Sequence, residues 1–514
     1  MSQLQSVDYA ALAPLIVVSA SAVAVLVADL FLPPASRSYR IWLALAGVLA
    51  TLITTVAVGG GERRTFCTPA ATLPHSVHVG QSCSYAVDHF TLLLSVVFCL
   101  AAAVCLLLSV VPVAEDRLPA GEYGFLILCS LAGMLTIAGA RDLITLVVAL
   151  EVLTLPIYVL VGLRRQDPRS AEAAVKFFLI SVLSGAVTLF GVSIVYGLTG
   201  SVYLDRVAAA LAARPDLRHL PLTAAAVLLV LVGFAFKISA VPFHWWAPDT
   251  YQGAPVPVAA YLSTASKAAG FAGLLLVVLV GFRPYADVWG PALAVLAALS
   301  MTVGNLAALR QRQMVRLLAW SSVAQGGYIL LPLGAAAAAT GRSGHDLRTA
   351  GTATLSYLAL YVAMNLGAFA CVSWATRSRP RNSLDDYRGL VRRSPAVAVA
   401  LAFFLLCLAG LPPGLAGLFA KVVVFRSALI GGAGVLAVIM AVNTVIGLYY
   451  YLRVAAALFA PAAIRPGTER DAGRPEPAPA ASITAAIGVT VAVTVVLGFA
   501  PQLVLHLGGL ARLP

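Results

Sequence analysis

Apolar runs of about twenty residues, separated by short polar connections, recur along the whole chain, and a run of that length crosses a bilayer core roughly 30 Å thick as one helix. The pattern predicts about fourteen transmembrane helices, at residues 9–32, 40–59, 90–112, 121–139, 143–163, 171–198, 220–241, 254–281, 287–309, 314–339, 351–375, 395–430, 434–459 and 482–506. The expected fold class is an all-α polytopic membrane protein. Two of these spans carry proline near a charge: Pro242 follows Lys237 in the seventh, and Pro412 and Pro413 precede Lys421 in the twelfth. Proline removes a backbone donor and clashes with the preceding turn, so helices 7 and 12 are expected to be broken. Inside a membrane such breaks are tolerated where the freed carbonyls line a hydrated or protein-buried site.

Breaks five spans apart imply two five-helix repeats, spans 4–8 and 9–13. Five is odd, so the copies are inverted in the membrane, an arrangement that places ion sites at the discontinuous helices. The expected organisation is then helices 1–3 in residues 1–120, a first repeat in 121–281, a second in 287–459, and a loop with helix 14 in 460–514. Matching "YVLVGL" from Tyr158 to "YILLPL" from Tyr328 sets Ser321 where the first half has Glu151, so the repeats are expected to differ in charge.

Composition agrees with the spans: 61% of the 514 residues are hydrophobic and 11% charged, against roughly 25% charged in soluble domains. The net charge of +13 does not point to nucleic acid, because the arginines sit in short loops and form no basic domain. Of the 30 arginines, 19 fall in loops after odd-numbered spans. Cytoplasmic loops collect basic residues, so both termini are expected to be extracytoplasmic. The first eight residues hold no Lys or Arg, and the first span is expected to be retained. Cys99, Cys105, Cys129, Cys371 and Cys407 lie in apolar spans, where cysteine acts as a small hydrophobe. Cys67 and Cys83 flank a polar segment on the outer side, where they form either a disulfide or two free thiols.

The lysines are the most informative charges. There are only four, Lys176, Lys237, Lys267 and Lys421, and all lie inside predicted spans. A genome that favours Arg codons explains arginine in the loops, but not lysine surviving only in apolar surroundings. Guanidinium stays protonated at any accessible pH, whereas a lysine in low dielectric can give up and regain a proton near neutrality. Glu151 lies eight residues into its span, about 12 Å from one end, and Lys267 is roughly 15–20 Å deep in its own. Ionisable groups at that depth cost several kcal/mol unless paired or hydrated, and are functional candidates for that reason. A carboxylate about 5 Å from a lysine at an effective dielectric near 20 contributes roughly 3 kcal/mol, enough for a Glu–Lys pair to switch proton occupancy. Lys176 has Glu172 one turn before it, so structural pairing competes with a relay role there. Asp29, near the end of the first span, reads as an interfacial or subunit-contact residue.

Three segments, "FKISAVPFHWWAPDTYQGAPVPVAAYLSTASKAAGF" (Phe236 to Phe271), "GNLAALRQRQMVRLLAWSSVAQGGYILL" (Gly304 to Leu331) and "LDDYRGLVRRSP" (Leu384 to Pro395), resemble the antiporter-like membrane subunits of respiratory complex I. The first is most similar to the N type of bacterial NADH-quinone oxidoreductase. The resemblance implies a buried chain of glutamate on helix 5, lysines on helices 7 and 8, and lysine or glutamate on helix 12, which fall on Glu151, Lys237, Lys267 and Lys421. A helix-12 lysine argues against the M type, and an end soon after span fourteen argues against the L type. Gln325 stands where N-type chains often have histidine, and "GLFAK" replaces the frequent G-F-x-G-K pattern before Lys421, which leaves the facing of that lysine open.

What the resemblance implies further is a proton-translocating, non-redox subunit of a bacterial plasma-membrane translocase, with no complete active site of its own. NADH, FMN, iron–sulfur clusters and quinone would then be handled by partner subunits, and an antiporter-like M-type subunit and small membrane subunits would adjoin this chain in the bilayer. No nucleotide fingerprint, cysteine cluster or histidine set with metal-ligand spacing is present; His75 and His78 alone supply too few ligands, and His89, His219, His345 and His506 stand singly. His244 reads equally as a water-bridging group near Lys237 or as a structural histidine. Trp245, Trp246 and Tyr251 read as interfacial anchors. The alternatives are a subunit of a multisubunit Na+/H+ antiporter and a structural membrane subunit whose charges only hold partner helices.

Overall fold

The computed structural model describes residues 7–33, 37–73, 77–164, 167–218, 220–338, 344–461 and 480–504. Among the described residues, eleven helices are long and apolar enough to cross a membrane. They coincide with eleven of the expected spans. The seventh, tenth and twelfth fall on elements outside that set, and two of these are interrupted at their prolines.

The first helices are α1 (Tyr9–Phe31), α2 (Arg37–Val58), α3 (His89–Ala114), α4 (Ala120–Gly139), α5 (Leu143–Val161) and α6 (Pro168–Thr199). Aspartates cap several of them by accepting backbone N–H bonds: Asp8 from Ala10 and Ala11, Asp88 from Thr91, and Asp142 from Thr145. After α7 (Leu204–Ala213) and the short α8 (Pro215–Arg218), the seventh span is α9 (Pro221–Lys237), which stops at its lysine rather than at residue 241. Its continuation is α10 (Trp246–Gly253). The eighth span joins α11 (Val256–Tyr261), a π-helical turn (Leu262–Ser266), α12 (Lys267–Leu276) and a second π turn (Val277–Gly281).

The second half contains α13 (Ala286–Leu309), α14 (Met314–Ala338), α15 (Gly344–Ser378), the single turn α16 (Leu390–Arg393), α17 (Pro395–Ala409), α18 (Leu415–Ile430), α19 (Gly434–Phe459) and α20 (Ala481–Phe499). The predicted span 395–430 is thus two helices, separated by Gly410–Gly414, where Gly410 adopts a positive φ of 81°.

The inverted repeat is visible in the backbone. Leu143 N donates to Val202 O and Leu204 N to Arg141 O; in the second half Met314 N donates to Asn382 O and Leu384 N to Arg312 O. The same short antiparallel bridge therefore precedes the fifth and tenth spans. Close helix contacts repeat with it: a Cβ on Gly133 would lie 2.4 Å from Leu153 N, and one on Gly304 would lie 2.6 Å from Ala324 N. Only glycine permits either approach.

The two bridges sit at opposite ends of the bundle. One end gathers Asp8 with Arg63 (3.3 Å) and Asp88 with Arg141 (2.6 Å). The other gathers loops after odd-numbered spans: Arg37 with Asp116, Arg377 with Glu115 (3.8 Å), and Asp249 with Arg316 (2.7 Å).

One part departs from the all-α expectation. Between α2 and α3, β1 (Arg63–Thr68) pairs antiparallel with β4 (Ser82–Val87), and inside them β2 (Ala71–Leu73) pairs with β3 (Val77–Val79). The segment is too polar to cross a bilayer, and its strands carry Thr65, Phe66, Thr68, Thr72, Val79, Tyr85 and Val87, residue types that suit a half-exposed hairpin. Cys67 and Cys83 face each other in register and are joined as a disulfide. Arg206 of α7 anchors the hairpin by donating to Ser82 Oγ (2.8 Å), Thr68 Oγ1 (2.9 Å) and Pro69 O (2.7 Å).

Candidate proton-relay axis

Broken helices leave backbone carbonyls without helical donors, and the protein supplies others. At the first break the Trp246 indole N–H donates to Phe236 O at 3.0 Å, next to Lys237. Trp246 and Tyr251 are accordingly buried, not interfacial anchors; Trp245 alone of the three is exposed. At the second break Ala409 O accepts from Lys421 Nζ at 2.6 Å and Leu408 O accepts from Gln325 Nε2 at 3.1 Å. Consecutive freed carbonyls thus tie the terminal lysine to α14. The Lys421 stem lies against Gly410, and its ammonium is 5.2 Å from the Tyr328 ring centroid, a cation–π geometry.

Lys237, Lys267 and Lys421 are 2%, 0% and 7% exposed. Lys237 Nζ donates to Thr154 Oγ1 (2.7 Å), and Lys267 Nζ to the carbonyl (2.7 Å) and hydroxyl (2.6 Å) of Ser322. All three ammonium groups therefore rest on neutral oxygens. Glu151 is half-buried and shares a cavity of ≈ 20 Å³ with Lys237, Thr154, Ser181, Ser184 and Thr188, about the space of a single water. Its carboxylate sits against Gly185, where a Cβ would lie 2.8 Å from Oε1. Glu151 and Lys237 thus meet across a water-sized space, and the direct partner of Lys237 is Thr154.

Gly270, three residues after Lys267, abuts the Lys237 stem. The two lysines are thus neighbours on directly packed helices, and α14 closes over them at Gly326, where a Cβ would lie 3.2 Å from Ile238 O and 3.9 Å from Lys267 Nζ. From Ser322 the bonds continue. Tyr361 OH bonds Ser322 Oγ and Ser263 O, both at 2.9 Å, and Asn365 Nδ2 reaches Ser263 Oγ at 3.0 Å. One turn along α14, Gln325 Oε1 accepts from Tyr357 OH (2.6 Å), and Tyr451 OH lies between Ser321 Oγ (2.5 Å) and Gln325 Nε2 (3.3 Å). These groups succeed one another from Glu151 past Lys237 and Lys267 to Lys421 at the second break, and together they make the candidate relay axis.

The bridge register corrects one expectation. It pairs Leu143 with Met314, so Glu151 corresponds to Ser322, not to Ser321. The tyrosine motifs align by side-chain likeness and slip by one residue, while backbone hydrogen bonds cannot. The group that receives Lys267 therefore occupies the position of the first-half carboxylate.

The supporting residues divide. Gln325 joins the axis, as does Ser321 through Tyr451. Lys176 lies apart, exposed, 2.6 Å from Glu172 and 3.3 Å from Asp249. His244 is buried, with Trp245 (centroids 4.7 Å) and Trp320 (5.2 Å) around its ring. Asp29 pairs with Arg40 at 2.5 Å. His75, His219 and His506 lie outside the described residues. Among the described residues no group of three or more His, Cys, Asp or Glu is placed to hold a metal ion. Thr154, Ser263, Ser322, Tyr357, Tyr361, Asn365 and Tyr451 were not anticipated. A signal existed for some: Tyr357, Tyr361 and Asn365 recur every four residues in an apolar span, one face of a helix.

The family model described as NADH:quinone oxidoreductase/Mrp antiporter, TM, matches residues 140–447, and the chain belongs to this family. It is 49% identical to NADH-quinone oxidoreductase subunit N 2 of Streptomyces griseus, over 98% of this chain and 94% of that protein. It is 48% identical to NADH-quinone oxidoreductase subunit N of Salinispora tropica, over 99% of each. A chain in the structure of respiratory complex I from Thermus thermophilus with bound aureothin is 31% identical and superposes with a TM-score of 0.74, covering 96% of this chain and 99% of that one. The Mrp complex from Dietzia contains a chain with the same fold, at a TM-score of 0.79, 23% identity, and coverage of 98% and 96%. The antiporter-like resemblance read from Phe236–Phe271 is borne out at the level of the family.

Proposed function

We propose that this chain is an N-type membrane-arm subunit of NADH-quinone oxidoreductase and moves protons along the axis from Glu151 to Lys421. The observation that carries the reading is the set of three deeply buried lysines, each donating its hydrogen bonds to neutral oxygens. Lys267 and Lys421 can lose their protons without leaving a carboxylate unpaired, whereas at Lys237 the same loss acts directly on Glu151. Glu151 and Lys237 form the switchable element across their shared cavity, Lys267 is the central relay, and Lys421 is the terminal exchange site. Hydroxyls and amides of Ser322, Tyr361, Gln325 and Tyr451 orient protons between them.

The chain supplies no redox group in this reading. NADH, FMN, iron–sulfur clusters and quinone belong to partner subunits, and redox energy reaches this chain as an electrostatic change. Glu151 is half-buried, on a face of α5 where Val148, Val152 and Leu155 are exposed. A carboxylate facing lipid at that depth costs several kcal/mol, so a neighbouring membrane subunit is expected to cover this face. The protein lies in the bacterial plasma membrane, with both termini and the hairpin extracytoplasmic and the Glu115–Arg377 end cytoplasmic.

The test is replacement of Lys237 or Glu151 by alanine in the assembled complex. Pumping and coupled quinone reduction should fall while NADH oxidation by artificial acceptors persists. Wild-type proton-to-electron stoichiometry would overturn the assignment. Copurification with nicotinamide- and quinone-linked subunits separates this function from a sodium/proton antiporter.

A further inference from the structure

One carboxylate at the cytoplasmic end receives cations from both repeats. Asp249, in the first turn of α10, lies with Oδ2 3.3 Å from Lys176 Nζ of α6 and Oδ1 2.7 Å from Arg316 Nη1 of α14. Arg316 also donates to Gln252 Oε1 at 2.8 Å, one turn further along α10, and the Gln252 side chain bonds that of Gln313. Glu172 completes the row at 2.6 Å from Lys176. Isolated surface pairs contribute little, but a carboxylate shared by two cations from different elements fixes geometry.

Each element on this carboxylate leads to the relay. The α10 helix carries Trp246, whose indole N–H holds Phe236 O beside Lys237. Six residues beyond Arg316, α14 carries Ser322, the acceptor of Lys267. On α6, the turns after Lys176 carry Ser181, Ser184 and Thr188, which line the Glu151 cavity. A rotation of α10 would therefore move the surroundings of Lys237 relative to those of Lys267.

We propose that Asp249 is a positioning residue, a two-cation clamp that fixes the broken seventh helix of the first repeat against the tenth span of the second. The proposal rests on the relay reading above. It also gives Lys176 a part: its Glu172 pair orients it toward Asp249, and it is not a member of the relay.

The test uses the complete NADH-quinone oxidoreductase in inverted membrane vesicles, with Asp249→Asn, Asp249→Glu, Arg316→Gln and the double variant Asp249→Asn/Arg316→Gln. Lys237→Ala serves as reference. Displacement of relay groups by fractions of an ångström predicts that Asp249→Asn lowers proton pumping about three- to tenfold at unchanged complex content. Asp249→Glu should return it to within about twofold, and the double variant should be no worse than the poorer single one, because both singles open the same clamp. Normal pumping in Asp249→Asn with pumping lost in Lys237→Ala would overturn the clamp and leave the relay standing. Normal pumping in Lys237→Ala would overturn the relay itself. Loss of pumping in strict proportion to loss of assembled complex, with no rescue by Asp249→Glu, would make Asp249 a folding residue and also overturn the clamp.

Discussion

Gly185 separates function from stability in a single methyl group. A Cβ at this position would lie 2.8 Å from Glu151 Oε1, whereas ordinary contact begins at 3.4 Å, so Gly185→Ala must push the carboxylate by about 0.6 Å. The space available is the ≈ 20 Å³ cavity that Glu151 shares with Lys237. A methyl is comparable to a water in size and displaces what that cavity can hold. Alanine in mid-helix is favoured over glycine by about 0.5–1 kcal/mol, which offsets the small cost of moving one flexible side chain. Assembly should therefore be unaffected.

Misplacement of a reacting group by about 1 Å can cost up to a hundredfold, so a shift near half that size predicts roughly a three- to thirtyfold loss. The assay is NADH-driven acidification of inverted vesicles, normalised to complex content and compared with NADH oxidation by an artificial acceptor. Acidification should fall and acceptor reduction should not. Full acidification by assembled Gly185→Ala complex would refute the reasoning that Glu151 acts through this cavity.

Further outcomes follow from the same contacts. Trp246→Phe removes the indole donor of Phe236 O, which keeps the Ser239 backbone N–H at 2.9 Å, and should destabilise the first break by about 0.5–1.5 kcal/mol, read as a lower thermal midpoint of the complex together with reduced pumping. Gln325→Leu orphans Tyr357 OH and Leu408 O and should slow pumping more than Gln325→His, measured in the same vesicles. Replacing Cys67 and Cys83 by serine opens a loop with a sequence separation of 16, for which chain entropy predicts about 3 kcal/mol. Non-reducing mass spectrometry of the wild type should find the two joined. Proton pumping should be the same with and without sodium, and a sodium requirement would favour the antiporter alternative.

Much of the fold was legible because bilayer spans announce themselves by length and hydropathy, and because Pro242 and the Pro412–Pro413 pair stand at true breaks, whereas Pro14, Pro112, Pro156, Pro291 and Pro332 sit inside continuous helices. The four lysines were legible by contrast, since the remaining basic positions are arginine. What escaped depends on three dimensions. The π turn at Leu262–Ser266 re-aims Lys267 without any local punctuation in sequence. Ser322 is one hydroxyl of a Ser–Ser pair, and only the backbone bridge at Met314 tells which of them stands opposite Glu151. Trp246 read as an anchor because tryptophan favours interfaces, yet an indole N–H equally suits a freed carbonyl at a broken helix. The hairpin at Arg63–Val87 was hidden by its shortness between two strong apolar signals.

If protons pass through this chain on its buried lysines, Lys267 is the lysine whose loss is most telling. It sits between the two breaks, fully buried, with Ser322 as its direct partner. The deciding measurement is the proton-to-electron stoichiometry of the assembled complex carrying Lys267→Met, which keeps the volume of the stem and removes the titratable group. Lys267→Met should lower the stoichiometry and leave NADH oxidation by artificial acceptors intact. A wild-type stoichiometry would contradict the relay and leave the lysines as structural charges.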